Sequence, residues 1–195
     1  MKLWRNLLIG GFLLTFVLLL GFFNAAKPRI MVLHSGPEGS AWVEQVDQGM
    51  RAALALNRRP VSTEWNYLGL ASPAKRGVAE ATAEARRAID RFKPDVLIAV
   101  DDEANSLVAQ YYAGRSEPRI LYVSIDQPPA SYGYAGAANV SGIAEQMPWA
   151  AIRDALIGMF RGRAVALPVV GVDRPTGRAD VAQLKGLNRA FVAQG

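Results

Sequence analysis

The sequence contains no cysteine, and His34 is its only histidine among 195 residues. Without cysteine, neither a disulfide nor a thiolate metal site can stabilise the fold, so the apolar core has to be sufficient. A single histidine excludes any catalytic triad or metal site that needs several imidazoles. His34 is left either as a lone base or as a structural residue.

The chain also lacks the run of basic residues that nucleic-acid binding would require. Its net charge of +5 falls to +3 when Lys2 and Arg5 are set aside, and the remaining charges of both signs are interspersed along the sequence. An electrostatic footprint for nucleic acid needs clustered Lys and Arg. We therefore expect no nucleic-acid partner.

The N-terminus, by contrast, has a long uncharged stretch. Lys2 and Arg5 precede residues 7–23, which are almost wholly Leu, Ile, Val, Phe and Gly. This is the pattern of an export signal, although it is longer than the roughly 7–15 apolar residues of a signal peptide and slightly short of the about 20 that span a bilayer. Residues 1–26 are therefore predicted to be a signal peptide or a retained signal anchor. In both cases the rest of the chain lies at the periplasmic or extracytoplasmic face of the membrane.

From Pro28 onward, apolar runs of strand length alternate with stretches of helical period. This alternation predicts an α/β fold, a parallel sheet with helices on both faces. The predicted strands are residues 29–34, 61–68, 96–100, 119–125, 139–144 and 164–172. The predicted helices are residues 40–56, 72–92, 104–113, 148–160 and 176 to the end. We expect a first lobe over 27–145, and a crossover with a partial second lobe over 146–195.

The candidate site lies where these strands end, because open parallel sheets bind ligands outside the carboxyl ends of their strands. The predicted ligand-binding residues are Ser35 and Gly36 after the first strand, Asp101 and Asp102 after the third, Asp126 after the fourth, and Tyr132 in the following loop. Other roles remain open. The acids can cap a helix, the serine and glycine can form a plain turn, and the tyrosine can belong to the core. The turn after the first strand matches neither a phosphate loop nor a dinucleotide fingerprint.

Four segments resemble the ABC-transporter substrate-binding family of the type I periplasmic-binding fold. They are Lys27-Pro28-Arg29-Ile30-Met31-Val32-Leu33, Lys93-Pro94-Asp95 with the apolar run after it, Arg119-Ile120-Leu121-Tyr122-Val123, and Asn139-Val140-Ser141-Gly142-Ile143. The resemblance implies two lobes that close around a small solute and deliver it to a membrane permease, without a cofactor or a metal.

The chain departs from that family in three respects. Asp101-Asp102-Glu103 replaces a Gly-Thr-Pro-like turn, Gln127 is inserted between the acid after the fourth strand and its proline, and the second lobe is short. Three acids would repel a carboxylate, so hydroxyl-rich or cationic solutes fit better.

The leading hypothesis is therefore an extracytoplasmic solute-binding component of an ABC-type uptake system, not an enzyme. The alternative is a membrane-anchored domain that senses a ligand for a signalling system. A third hypothesis, an enzyme that holds Mg²⁺ between Asp101, Asp102 and Asp126, is disfavoured. Receiver-type folds carry acids after the first strand and a lysine after the fifth, and this chain has neither.

Overall fold

A computed structural model of the chain describes residues 2–70, 77–145, 147–160 and 181–186. The strands are β1 (Arg29–His34), β2 (Ser62–Tyr67), β3 (Val96–Val100), β4 (Arg119–Ile125) and β5 (Val140–Ala144). The helices are α1 (Lys2–Ala25), α2 (Ala41–Ala55), α3 (Val78–Phe92) and α4 (Trp149–Met159).

The five strands form one parallel sheet in the order β2-β1-β3-β4-β5. The chain reverses direction across the sheet at β1, since β2 lies on one side of it and β3 on the other. The predicted α/β fold with a parallel sheet is confirmed. All carboxyl ends of the strands consequently lie at one edge, and all amino ends at the other.

Side chains of the central strands alternate between two cores. On one face, Met31 and Leu33 of β1 and Leu97 of β3 pack with the apolar stripe of α3. On the other face, Val32 and Ile98 pack with the side of α2 that carries Val46 and Met50. Both faces of β3 are therefore covered, which explains its uninterrupted apolar sequence.

Residues 3–25 of helix α1 are all exposed. Its segment Leu3–Ala25 has a mean hydropathy of 2.3 and is long and apolar enough to cross a membrane. The predicted N-terminal hydrophobic helix is confirmed. The choice between cleavage and retention stays a prediction.

Gly142 allows β5 to pack closely against β4. A Cβ atom at this position would overlap the carbonyl oxygen and the ring of Tyr122. That ring stacks on Tyr134, with centroids 5.8 Å apart. The position thus requires glycine for close approach rather than for backbone freedom.

The segment predicted as a helix over residues 104–113 is helical, but it is not a regular α-helix. The chain forms a π-helical turn at Ala104–Val108 and a 3-10 turn at Ala109–Tyr112. The buried side chain of Asn105 explains the widened turn, because its Nδ2 donates to the carbonyls of Ala99 (3.1 Å) and Asp101 (2.8 Å).

Other predicted elements fall partly or wholly outside the described residues. The predicted start of the second helix at Ser72 is wrong, because α3 begins at Val78 after the extended N-cap Gly77. The predicted strand over 164–172 lies outside the described part, and of the predicted last helix residues 181–186 are described, as helical. The division into lobes at residues 145 and 146 stays a prediction.

Candidate functional site

A groove of about 300 Å³ opens at the edge of the sheet where the strands end. It is lined by Trp42 from the first turn of α2, Asp101 after β3, Ser124 and Asp126 at the end of β4, and Glu145 and Met147 after β5. Segments at the carboxyl ends of four neighbouring strands, β1, β3, β4 and β5, thus contribute to one surface. This location agrees with the rule that ligands of open parallel sheets bind beyond the carboxyl ends of the strands.

Asp101 occupies the middle of this edge in a left-handed backbone conformation, with a φ of 73°. Its backbone N–H donates to the carbonyl of Val123 (2.9 Å), and its Oδ1 accepts from the N–H of Asp102 (2.7 Å). Burial raises the pKa of the Asp101 carboxyl to about 7, and the charges of Glu103, Asp102 and Asp126 add to this increase. The hydrogen bond from Asp102 opposes it. Asp101 therefore exchanges its proton near neutral pH.

Ser124 is a second strained residue in the groove, with a φ of 54°. Left-handed non-glycine residues cost about 1–3 kcal/mol each and persist where the surrounding structure fixes them. Two such residues, Asp101 and Ser124, line the same groove. Two of the three left-handed non-glycine residues in the described part of the chain thus lie in this groove, and the third, Lys93, caps α3 at the other edge of the sheet. Strained residues of this kind are common at binding sites.

Asp102 lies behind the groove and is 1% exposed. Its Oδ1 accepts hydrogen bonds from the backbone N–H of Asp126 (3.1 Å) and from the hydroxyl of Tyr132, which is also buried. These bonds join the end of β3 to the loop after β4. Burial raises the pKa of the Tyr132 hydroxyl well above its usual value, and the hydrogen bond to Asp102 adds a smaller increase. The carboxylate of Asp102 therefore fixes the position of Asp126.

Ser35 and Gly36 are also set back from the groove. The hydroxyl of Ser35 donates to the carbonyl of Val100 (3.1 Å) and accepts from the N–H of Ala104 (2.8 Å). A Cβ at Gly36 would lie 3.0 Å from Cγ2 of Val43, so glycine allows the turn to pack against α2. Ser35 thus connects the end of β1 to the end of β3, and Gly36 lets the turn pack against α2.

His34, the single histidine, is fully buried at the end of β1. It stacks on Tyr67, with ring centroids 5.4 Å apart, and its Nε2 lies 2.7 Å from Oδ1 of Asp47. Burial lowers the pKa of His34, and the charge of Asp47 only partly offsets that effect. The histidine is therefore neutral at pH 7 and does not line the groove.

The described loops at the groove edge carry charge of one sign. The described loops that follow the strands contain the acidic residues Glu38, Asp101, Asp102, Glu103, Asp126 and Glu145 and no Lys or Arg. Trp42, 43% exposed, adds an aromatic side chain to the same surface. Carboxylates beside an exposed indole attract organic cations, through charge and through the ring face. Within the described residues, no group of three or more His, Asp and Glu is arranged to hold a metal ion.

Two of the six residues predicted to bind a ligand, Asp101 and Asp126, meet in the groove. The other four, Ser35, Gly36, Asp102 and Tyr132, lie behind its surface, where they position the loops. Direct ligand contact by any of the six stays a prediction. The sequence interpretation did not select Trp42, Ser124, Glu145 and Met147 as site residues. The strand-end rule could have selected Ser124 and Glu145, since each lies at the end of a predicted strand.

Comparison with solved structures identifies a neighbour of this architecture. CD0873 of Clostridium difficile, described as a substrate-binding protein with adhesive properties, superposes in its ligand-free, open form with a TM-score of 0.58 and 14% sequence identity. The chain shares its fold with a substrate-binding protein. The match covers 84% of this chain and 54% of the neighbour.

The chain therefore spans about half the length of that substrate-binding protein. At 14% identity the likeness shows the fold alone. No protein-family model and no curated protein matches the sequence. The type I periplasmic-binding-like lobe expected from the sequence is thus supported at the level of fold. Membership of the ABC-transporter family remains an expectation.

Proposed function

We propose that this chain is an extracytoplasmic solute-binding protein that captures a small polar molecule in the groove beyond the carboxyl ends of its strands. The observation that carries the proposal is the convergence of Asp101, Asp126 and Glu145 with Trp42 on one open surface. The fold shared with a substrate-binding protein supports binding, rather than catalysis, as its role.

The charge of the groove favours a cationic solute. Three carboxylates line it, and the described loops around it carry no compensating Lys or Arg. An anionic solute would meet repulsion from each carboxylate, whereas an ammonium group would be attracted by the same charges. Trp42 would then pack against the apolar part or the charged head of the solute. Amines and polyamines fit this surface best, and uncharged polyols fit it second.

As a component of an ABC-type uptake system, the chain would deliver its solute to a permease in the membrane. A permease and an ATPase encoded beside it would support this function.

The second candidate is a membrane-anchored domain that senses its ligand. The observation that favours it is the continuity of α1 with β1, since only three residues separate the end of α1 at Ala25 from Arg29. Such a short connection is suited to carry a change in the lobe to the membrane helix. An output domain in the same chain or in a neighbouring gene product would support sensing.

A thermal-shift screen of the full chain in detergent micelles tests the proposed binding. Amines, polyamines, polyols, amino acids and carboxylic acids are compared at equal concentration. Binding to the folded state raises the melting temperature by an amount that increases with the ratio of ligand concentration to Kd. We expect amines to raise it and carboxylic acids to leave it unchanged. Stabilisation by carboxylic acids alone would contradict the proposal.

A further inference from the structure

The edge of the sheet opposite the groove is strongly basic. In a parallel sheet the residues that begin or precede the strands share this edge. The exposed basic residues there are Arg29, Arg58, Arg59, Arg91, Lys93, Arg115 and Arg119. We call this surface the basic edge.

Few acidic groups offset the basic edge. Asp95 accepts a hydrogen bond from the backbone N–H of Arg29 (2.6 Å), and Arg91 lies 3.8 Å from Glu64. Asp90 accepts from the hydroxyl of Tyr112 (3.0 Å), and Glu117 is exposed. Because basic residues outnumber acidic ones at this surface, it has an excess of positive charge.

Helix α1 joins the lobe at the basic edge. Only residues 26–28 lie between α1 and β1, and a chain of that length spans at most about 10–14 Å. Lys27 lies in this connection, with its Nζ 5.6 Å from the ring centroid of Phe23. If α1 spans the membrane, the basic edge must lie at the depth of the lipid headgroups or just outside them.

We propose that the basic edge docks on anionic lipid headgroups of the membrane that α1 enters. The inference rests on retention of α1 and not on the identity of the solute. Each Lys or Arg near an anionic bilayer adds to the attraction, which decays within a Debye length of about 8–10 Å. The three-residue connection keeps Arg29, at the start of β1, within about 10–14 Å of the end of α1, a distance comparable with that range.

The opposite edge strengthens this orientation. Its described loops carry six acidic residues and no basic ones, so an anionic surface repels it. The lobe is therefore held with its groove turned away from the bilayer and open to the solution. That orientation suits a sensor of dissolved solute better than delivery to a permease in the same membrane.

Energy transfer from the lobe to the lipid surface tests the proposal. The chain has no cysteine, so a single introduced cysteine carries the only thiol-linked dye. Ser116→Cys labels the basic edge and Ser131→Cys labels the groove edge, and both serines are exposed. The full chain is reconstituted in phosphatidylcholine vesicles with and without phosphatidylglycerol, with an acceptor dye on the headgroups.

We expect transfer from the Ser116→Cys label to exceed that from the Ser131→Cys label and to increase with phosphatidylglycerol. Added salt should reverse the increase. Arg58→Gln with Arg59→Gln should remove at least half of it. A matched control, Gln45→Glu with Gln48→Glu on exposed positions of α2, changes the net charge equally and should preserve the increase.

Equal transfer with and without phosphatidylglycerol would overturn the proposal, as would an equal loss in both double variants. Recovery of the membrane-associated chain without α1, detected by mass spectrometry, would also overturn it. The proposed solute binding would survive each of these results, because it is measured separately in micelles.

Discussion

The carboxylate of Asp102 accepts a hydrogen bond from the backbone N–H of Asp126 across 3.1 Å, and thereby ties the end of β3 to the loop after β4. Asp102 is buried, whereas Asp126 lines the groove. The buried carboxylate of Asp102 thus determines where Asp126 lies in the groove.

Replacement of Asp102 with Ala should destabilise the lobe. The change leaves the buried Tyr132 hydroxyl and the partly buried Asp126 N–H without this acceptor. Unsatisfied buried polar groups cost about 1–3 kcal/mol each, so we expect the free energy of unfolding to fall by about 2–4 kcal/mol. Urea denaturation of the full chain in micelles measures the loss. Tyr132→Phe removes one donor only and should cost less, and an unchanged midpoint for Asp102→Ala would refute the role of the carboxylate.

The raised pKa of Asp101 makes stability depend on pH. Its folded-state value of about 7 lies above its ordinary value of 3.8, so the fold favours the neutral carboxyl. This contribution to stability is complete below about pH 4 and is lost as the pH rises through about 7. Asn at this position stays neutral and tolerates the left-handed backbone.

We therefore expect Asp101→Asn to melt about 8–16 °C above the parent chain at pH 8, since a pKa raised from 3.8 to about 7 is worth about 4 kcal/mol, and at the same temperature near pH 4. Thermal denaturation over this range provides the measurement. The lowered pKa of His34 has the opposite effect on stability, because the stability that neutral His34 contributes is lost as the pH falls below about 6.5. Both chains contain His34, so its effect cancels in the difference. A difference that did not change with pH would be inconsistent with the raised pKa.

Affinity for an amine should rise with pH. A cation binds the ionised form of Asp101, which becomes the major form above about pH 7. Below that value we expect affinity to fall by up to about tenfold per pH unit, the limit for one proton per site. Calorimetric titrations at several pH values give the slope. Asp101→Asn should abolish it, and a slope retained by this variant would assign the proton to another group.

Gly142→Ala should destabilise the sheet without altering the groove. The added methyl group overlaps the carbonyl and ring of Tyr122, which are held by β4 and by stacking on Tyr134. Overpacking of this kind costs about 1–3 kcal/mol. Chemical denaturation compares this variant with Ser141→Ala, a change at the exposed neighbouring position of β5. Equal denaturation midpoints for the two variants would contradict the close packing of Gly142 against Tyr122.

The sequence was most informative about the sheet. All five described strands lie within a residue or two of their predicted bounds, because β3 has a continuous apolar run and the other segments are bounded by Gly, Pro or polar turns. The meeting of Asp101 and Asp126 in one groove follows from the same rule, since parallel strands end at a common edge.

Side-chain direction was harder to predict. Asp101 and Asp102 are adjacent in sequence, yet the positive φ of Asp101 turns the chain so that Asp102 is buried while Asp101 lines the groove. Trp42 joins the groove because α2 begins beside β3, which depends on sheet order rather than on local sequence. The widened turn at Ala104–Val108 depends on bonds that Asn105 makes with Ala99 and Asp101.

Charge distribution also emerges only from the fold. Basic and acidic residues are interspersed along the sequence, so no cluster is visible in it. The parallel sheet separates them, with Arg29 and Arg119 at the starts of strands and Asp101 and Asp126 after their ends. A nearly balanced composition thus produces one basic edge and one acidic edge.

Isothermal titration of the full chain with the amine that stabilises it most tests the central claim most directly. Asp126→Asn and Glu145→Gln remove charges from the groove, whereas Glu80→Gln removes an exposed charge from α3. We expect each groove variant to weaken binding by about tenfold, the equivalent of about 1.4 kcal/mol, and the α3 variant to bind as the parent does. Parent-like affinity in both groove variants would show that the acidic groove is not the binding site.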